Sequence, residues 1–311
     1  MPATIENKIL ELKKQRNAVI LAHNYQRGEV QDISDFTGDS LGLSQTAAKT
    51  DAEVVVFCGV HFMAETAAIL CPDKMVLLPD PEAGCPMADM ITPEDLAGLK
   101  QNHPDALVVT YVNSSAAIKA MSDVCCTSAN AVEVVSALPE DRSVIFIPDR
   151  NLGHYTARMT GRNLILWDGY CPTHERILPD EVREAQQKRP YAELVVHPEC
   201  RPEVVAMADK VASTAGMLKH CRESNASAFL IGTEVGLLHG LRKENPSKLF
   251  HALSPVATCP NMKLVTLEKL LWSLEDGTGQ VVVTEEIAEK ARISITAMLD
   301  IGKLIQNRAI N

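Results

Sequence analysis

The feature that most constrains this chain is that it repeats. Four kinds of segment recur three times, in the same order, at a period near 87 residues. The first is an apolar run with a polar tip: 18–25 (AVILAHNY), 106–113 (ALVVTYVN) and 192–199 (AELVVHPE). His23, Tyr111 and His197 fall in register, separated by 88 and 86 positions. The second is a hydroxyl-bearing turn that opens a helix, with Ser40, Ser128 and Thr214 at the same two intervals. The third is another apolar run, at 52–59, 142–149 and 227–234. The fourth ends each time in Cys-Pro, at Cys85, Cys171 and Cys259, separated by 86 and 88 positions. Loose alternation of strands and helices does not put Cys-Pro in register three times.

Each repeat reads strand, helix, strand, helix, strand. The apolar runs are short, unalternating and rich in Val, Ile and Leu, which suits strands of a parallel sheet covered on both faces. The helical stretches between them carry start signals, such as Thr92 as a cap with Glu94 and Asp95 in the first turn. The expected fold is therefore α/β, as three α/β/α sandwich domains in a pseudo-threefold arrangement around a central site. Expected limits are 1–16 for an N-terminal helix, 17–103, 104–190 and 191–275 for the repeats, and 276–311 for a C-terminal helical segment. The amphipathic stretch 284–307 is expected to pack with the N-terminal helix as an outer layer. A hydrophobic fraction of 46% supplies enough apolar surface for three such units.

Charge and hydropathy restrict the partners. The net charge is −10 and no basic face is visible, which argues against nucleic acid. No run of about 18 apolar residues occurs, so no membrane helix is expected. The first residues form a charged amphipathic pattern without a signal-peptide core, and a cytoplasmic enzyme is expected.

Nine cysteines without a secretory context argue against a disulfide framework. Cys58, Cys71, Cys125, Cys126 and Cys221 read as small buried hydrophobes. Cys200 sits near a strand tip and is expected to pack behind the site. Cys85, Cys171 and Cys259 lie too far apart for a zinc ribbon or a ferredoxin pattern. In open parallel sheets, ligands bind beyond the carboxyl ends of the strands. Three units aimed at one point would each supply one cysteine there. Three thiolates leave an open metal position, whether on an iron–sulfur cluster or on zinc.

The motifs together resemble the quinolinate synthase family over essentially the whole chain. They are AHNYQ (22–26), SDFTGDSLGLSQ (34–45), AGCPMADM (83–90), TYVNSSA (110–116), GYCPTHE (169–175), VHPEC (196–200), STAGM (213–217) and TCPNM (258–262). The resemblance implies one [4Fe–4S] cluster per chain, held by Cys85, Cys171 and Cys259, with an open iron as Lewis acid. It implies condensation of iminosuccinate (iminoaspartate) with dihydroxyacetone phosphate to quinolinate, phosphate and water, for NAD biosynthesis. It also implies a functional link to L-aspartate oxidase or aspartate dehydrogenase. Some members carry a CxxCxxC run at the last cysteine. Here Pro260, Asn261 and Met262 follow Cys259, so a disulfide within that run is not possible.

The resemblance makes His23 a substrate binder and Tyr25 an acid or base. Alternation puts these two on one side of a strand tip. Tyr111 and Asn113 repeat that geometry and are expected to hold a substrate carboxylate or carbonyl. His197 and Glu199 repeat it again, and such a pair can shuttle protons, with Glu199 as the expected base. Ser40, Ser128 and Thr214, at helix starts, are expected to bind the anionic substrates. His174, three residues after Cys171, is a weaker candidate for the same cavity.

Overall fold

The computed structural model describes residues 4–310, with side chains through residue 301; residues 1–3 and 311 of the expected terminal segments lie outside the described residues. The first unit contains β1 (Ala18–His23), β2 (Phe36–Gly38), β3 (Val54–Cys58) and β4 (Met75–Leu77). The second contains β5 (Leu107–Tyr111), β6 (Val124–Cys126), β7 (Val144–Ile147) and β8 (Leu164–Leu166). The third contains β9 (Glu193–Val196), β10 (Lys210–Val211), β11 (Ala228–Gly232) and β12 (Leu249–Ala252). Each unit forms one sheet, with strand orders β2-β1-β3-β4, β6-β5-β7-β8 and β10-β9-β11-β12. Every pairing within these sheets is parallel. The threefold α/β repeat expected from the sequence is thus present.

Each sheet has four strands where three were expected. The additional ones, β2, β6 and β10, are three, three and two residues long, too short to carry a readable pattern. A repeated aspartate pins each of them. Asp35, Asp123 and Asp209 accept the main-chain N–H of Ile20, Val108 and Leu194 at 2.8, 2.7 and 2.8 Å. Their own N–H groups return bonds to the carbonyls of those same residues at 2.9, 3.1 and 3.0 Å. A side chain and a main chain thus clamp the outer strand to the first strand in each unit.

Helices cover both faces of each sheet. One apolar core joins the first and third units, with Leu21, Phe57 and Leu43 against Phe229, Ile231 and Phe250. The long C-terminal helix Glu285–Ile310 inserts Ala288, Ala291, Ile295 and Met298 among Val124, Val134 and Phe146 of the second unit. The N-terminal helix Ile5–Gln15 does not pack with it as expected. Ile9 is instead fully buried with Leu267, Leu270 and Leu274 of the helix Leu267–Asp276, over the outer face of β1 and β3. The reason is apolar matching: Ile20, Val54 and Val56 leave that face of the first sheet uncovered, and the two short helices together close it. The helix Pro93–Asn102 begins as expected, with Thr92 and Asp95 forming a reciprocal capping box.

Ile9→Ala should lower stability by about 2–5 kcal/mol through loss of buried methylene groups and the cavity left behind. Urea unfolding checks this, and a loss well under 1 kcal/mol, compared with that expectation, would mean the helix does not close the first unit.

Candidate active site

The first strand of each sheet is central, and the strand order reverses beside it, which is where open parallel sheets bind ligands. The carboxyl ends of β1, β5 and β9 meet, and their tips supply the site. Buried there are His23, Tyr25, Tyr111, His197 and Glu199, all less than one-tenth exposed. They line a small chamber of about 30 Å³ together with Asp39, Ser40, Thr127, Ser128 and Thr214.

The strand tips repeat a local device. His23 Nδ1 accepts the N–H of Tyr25 at 3.1 Å, and His197 Nδ1 accepts the N–H of Glu199 at 3.3 Å. An Nδ1 that accepts leaves the imidazole proton on Nε2. The His197 Nε2–H accordingly reaches Ser128 Oγ at 3.2 Å. Burial pushes both imidazoles down, to about 3 for each, so they are neutral hydrogen-bonding groups near pH 7.

Glu199 ties the units together. It accepts the Tyr111 hydroxyl at 2.6 Å and lies 2.7 Å from His174 Nδ1. Burial alone would push its carboxyl up. The adjacent His174 and the hydroxyl of Tyr111 outweigh burial and hold it below the ordinary carboxylate range. Burial first, and then the Glu199 charge, raise the Tyr25 and Tyr111 hydroxyls well above 10.0, so both stay protonated. The Tyr25 hydroxyl sits 2.6 Å from Thr233 Oγ1 and 3.4 Å from His174 Nε2.

The hydroxyl turns differ in detail from the expectation. Ser40 and Thr214 are the first residues of their helices, and the caps are the residues before them. Asp39 accepts from Gly42 N at 2.9 Å, and Ser213 accepts from Gly216 N at 3.2 Å. Ser128 lies in a turn ahead of the helix Ala131–Ser136 rather than at its start. Asn113 is outside the chamber lining, and its Oδ1 is buried without a hydrogen-bond partner.

Asp39, Thr127 and Thr233 were not among the residues singled out from the sequence. A signal for two of them existed. Asp39, Thr127 and Ser213 stand one position before Ser40, Ser128 and Thr214, and so repeat at the same intervals. His174 is more central than its weak sequence signal suggested. It stacks on His197 with ring centroids 4.7 Å apart and contacts Thr233, Glu199 and Cys171 Sγ, the last at 3.1 Å.

The Cys-Pro segments all lead into short helical turns, whose free N–H groups face the sulfur. Cys85 receives the N–H of Ala88 and Met87, Cys171 that of His174, and Cys259 those of Met262 and Asn261. Proline suits the first position of such a turn because it has no N–H to lose. Enclosure raises all three thiols, Cys85 to about 12, and proximity adds to it: Cys85 feels Cys259, and Cys171 feels Cys85. Cys171, His174 and Glu199 bring ligand atoms within 4.8 Å of one another and could hold a metal. Cys200 packs behind the site in the apolar core with its thiol 3.4 Å from the Gly232 carbonyl, as expected. Cys58, Cys71, Cys125, Cys126 and Cys221 lie in apolar cores.

Fold and site together define an enzyme whose buried centre is assembled from three repeated parallel α/β units, with a Cys/His/Glu group suited to a metal. The family model described as Quinolinate synthetase A protein matches residues 7–300, and the chain belongs to that family. It is similar to quinolinate synthase from Geotalea uraniireducens (strain Rf4), 59% identical over 96% of this chain and 98% of that one. It is likewise similar to quinolinate synthase from Geobacter metallireducens, 58% identical with 96% and 98% covered. Quinolinate synthase 1 of Methanosarcina acetivorans is 56% identical, with 96% and 97% covered. Among the described residues no helix is long and apolar enough to cross a membrane.

The neutral buried histidines fix a pH dependence. The His23 value falls from 6.5 to about 3 on folding, so the unfolded chain binds a proton between those values that the folded chain refuses. Its contribution is complete above 6.5 and is lost as pH falls toward 3. His23→Gln in the metal-free protein should therefore flatten the stability–pH slope by about 1.4 kcal/mol per pH unit between about pH 6 and 4. Urea titrations at stepped pH read it; parallel slopes for the two proteins would show that His23 titrates normally.

Proposed function

We propose that this chain condenses iminosuccinate with dihydroxyacetone phosphate to quinolinate, phosphate and water in the chamber between the repeats 17–103, 104–190 and 191–275. Within the expected segments 1–16 and 276–311, the helices Ile5–Gln15 and Glu285–Ile310 then serve as flanks. The observation that carries this reading is the convergence of His23, Tyr25, Tyr111, His197 and Glu199 on one chamber, with Cys171 Sγ joined to it through His174, 3.1 Å from the sulfur and 2.7 Å from Glu199.

The thiols suit a [4Fe–4S] cluster. Burial holds the three soft sulfurs as thiols in the metal-free chain, and the main-chain N–H groups directed at each would offset part of the charge of a metal-bound thiolate. Cys85, Cys171 and Cys259 would hold it. When bound, such a cluster supplies one iron without a protein thiolate, a Lewis acid for substrate oxygen or nitrogen.

The protein's own groups have separable tasks. Both substrates are anions, yet no Lys or Arg lines the chamber among the described residues. Ser40 and Thr214, each the first residue of its helix, and Ser128, in a turn, offer hydroxyls for the carboxylates and phosphate. Neutral His23 and His197 orient substrate by hydrogen bonds, and the Tyr111 hydroxyl donates to a carboxylate or carbonyl; Asn113, outside the lining, would reach the same group only through its amide N–H. The reaction requires imine formation, isomerisation and loss of two waters, each with a proton transfer. Tyr25 is protonated and acts as the acid. Glu199, tied to Tyr111 and His174 at rest, accepts a proton once substrate withdraws those donors. His197 passes protons beside it.

A chamber of about 30 Å³ has room for about two waters and no substrate. It adjoins, at Ser128, a groove of about 630 Å³ between the second and third units, where Lys210 and Lys219 stand with Glu133 and Glu223. Substrates would enter there, and closure of the units on one another would then keep water from the labile imine. L-aspartate oxidase or aspartate dehydrogenase would supply that imine. Nine free cysteines suit a reducing cytoplasm.

Anaerobically reconstituted protein should hold about four irons and four sulfides per chain. Cys85→Ser, Cys171→Ser and Cys259→Ser should each lose them, whereas Cys58→Ser and Cys221→Ser should not. A single zinc in place of iron would defeat the cluster and favour the Cys171, His174 and Glu199 group. Glu199→Gln and Tyr25→Phe should keep the iron and lower kcat by about 10²-fold or more in an assay for quinolinate. A variant with normal turnover removes its residue from the proton transfers.

A further inference from the structure

The three cysteine loops are anchored by one equivalent main-chain bond. His61, Arg150 and Val235 donate their N–H to the carbonyls of Ala83, Gly169 and Ala257 at 2.7, 2.8 and 3.0 Å. Those carbonyls stand two residues before Cys85, Cys171 and Cys259. The residues just ahead of the three donors are therefore equivalent by structure, and they are Val60, Asp149 and Glu234. Two of the three are carboxylates, and both are fully buried.

Each carboxylate reaches a cysteine. Asp149 Oδ2 accepts the N–H of Cys171 at 3.2 Å, and Glu234 Oε1 accepts the N–H of Cys259 at 3.1 Å. Their other oxygens are also engaged: Asp149 Oδ1 by Leu152 N at 2.7 Å, and Glu234 Oε2 by Gly236 N at 2.7 Å. Lys263 Nζ pairs with Glu234 at 2.9 Å and also donates to the carbonyl of Tyr25. Helix capping does not explain both positions. Asp149 caps the helix Arg150–Thr160, but the helix Leu237–Glu244 starts after Gly236, two residues beyond Glu234. What the two share is the bond to the cysteine main chain. A buried carboxylate is costly unless several donors satisfy it, and here the cysteine N–H is one of them.

We propose that Asp149 and Glu234 are positioning residues that latch the Cys171 and Cys259 loops, and that the first unit, with Val60 in their place, leaves the Cys85 loop without such a latch. Two of the three thiols are then preset by the fold, and the third closes the set. This rests on the cluster reading above for its purpose, although the latch itself is a property of the protein chain. A carboxylate suits the task because it offers two acceptor atoms and can hold the loop and the following turn together. Valine contributes only packing, and Val60 is buried in the apolar core shared by the first and third units.

Two variants isolate the latch. Asp149→Ser keeps an oxygen able to cap Leu152 N but withdraws the acceptor from Cys171. Glu234→Gln keeps the shape and removes the charge that holds Lys263 and one of the acceptor atoms. Val60→Ala is the control from the unlatched unit. In the metal-free protein, amide hydrogen exchange should quicken at least tenfold at Cys171 in the first variant and at Cys259 in the second, with the other loop unchanged. In the reconstituted protein, release of iron to a chelator should quicken at least tenfold in both, and not in Val60→Ala. If Asp149→Ser does not fold, Glu234→Gln carries the test alone. Unchanged exchange at the cysteine amides, or exchange that quickens evenly over a whole unit, overturns the proposal. Wild-type protein that takes up no iron would defeat the cluster reading instead, and the metal-free exchange measurement would still decide the latch.

Discussion

The interaction on which the centre depends is the satisfaction of one buried carboxylate. Glu199 is about 3% exposed and sits where three sheets converge. An anion in that position is costly unless donors surround it. The second unit supplies those donors: the Tyr111 hydroxyl from the tip of β5, and His174 from the turn after Cys171. His174 in turn meets Thr233 from the end of β11, and Thr233 meets the Tyr25 hydroxyl from the first unit. One chain of hydrogen bonds thus runs through all three repeats. A shift of any unit breaks it, which makes the closed arrangement of the strand tips a single cooperative state.

The same balance of burial and hydrogen bonding explains why the histidines and tyrosines of the centre are neutral. His23 and His197 are kept unprotonated by burial, and each uses Nδ1 to hold the turn that carries its neighbour. Local backbone geometry therefore sets the tautomer, and the tautomer sets which nitrogen faces the chamber. The tyrosines remain protonated for the same reason of burial beside a carboxylate.

Repetition has been used unevenly. The aspartates that clamp the outer strands, Asp35, Asp123 and Asp209, are kept in all three units because every sheet needs the same edge fixed. The strand tips diverge into His-Tyr, Tyr-Asn and His-Glu pairs because a centre shared by three units needs different groups from each. The position before the cysteine anchor diverges too, between Val60, Asp149 and Glu234. Sheet-forming contacts stay symmetric, and the contacts around the chamber do not.

Much of this was legible in the sequence by itself. Three cysteines, three strand tips and three hydroxyl turns in register imply parallel sheets whose carboxyl ends share one site, because side-chain period and strand direction follow from local pattern. The clamping aspartates and Asp39 were visible in the same register, although strands of two or three residues carry no pattern of their own. The tertiary structure alone decided what depends on contacts between distant residues. It put Ile5–Gln15 against Leu267–Asp276 rather than against the C-terminal helix, because only the exposed face of the first sheet selects the partner. It made His174 a hub and brought Thr233 to Tyr25, since neither contact has a spacing in the chain. It also left Asn113 outside the chamber lining although Tyr111, two residues earlier on the same strand tip, is within it. Local pattern determines which way a side chain leaves its strand; packing of one unit on another determines what it meets.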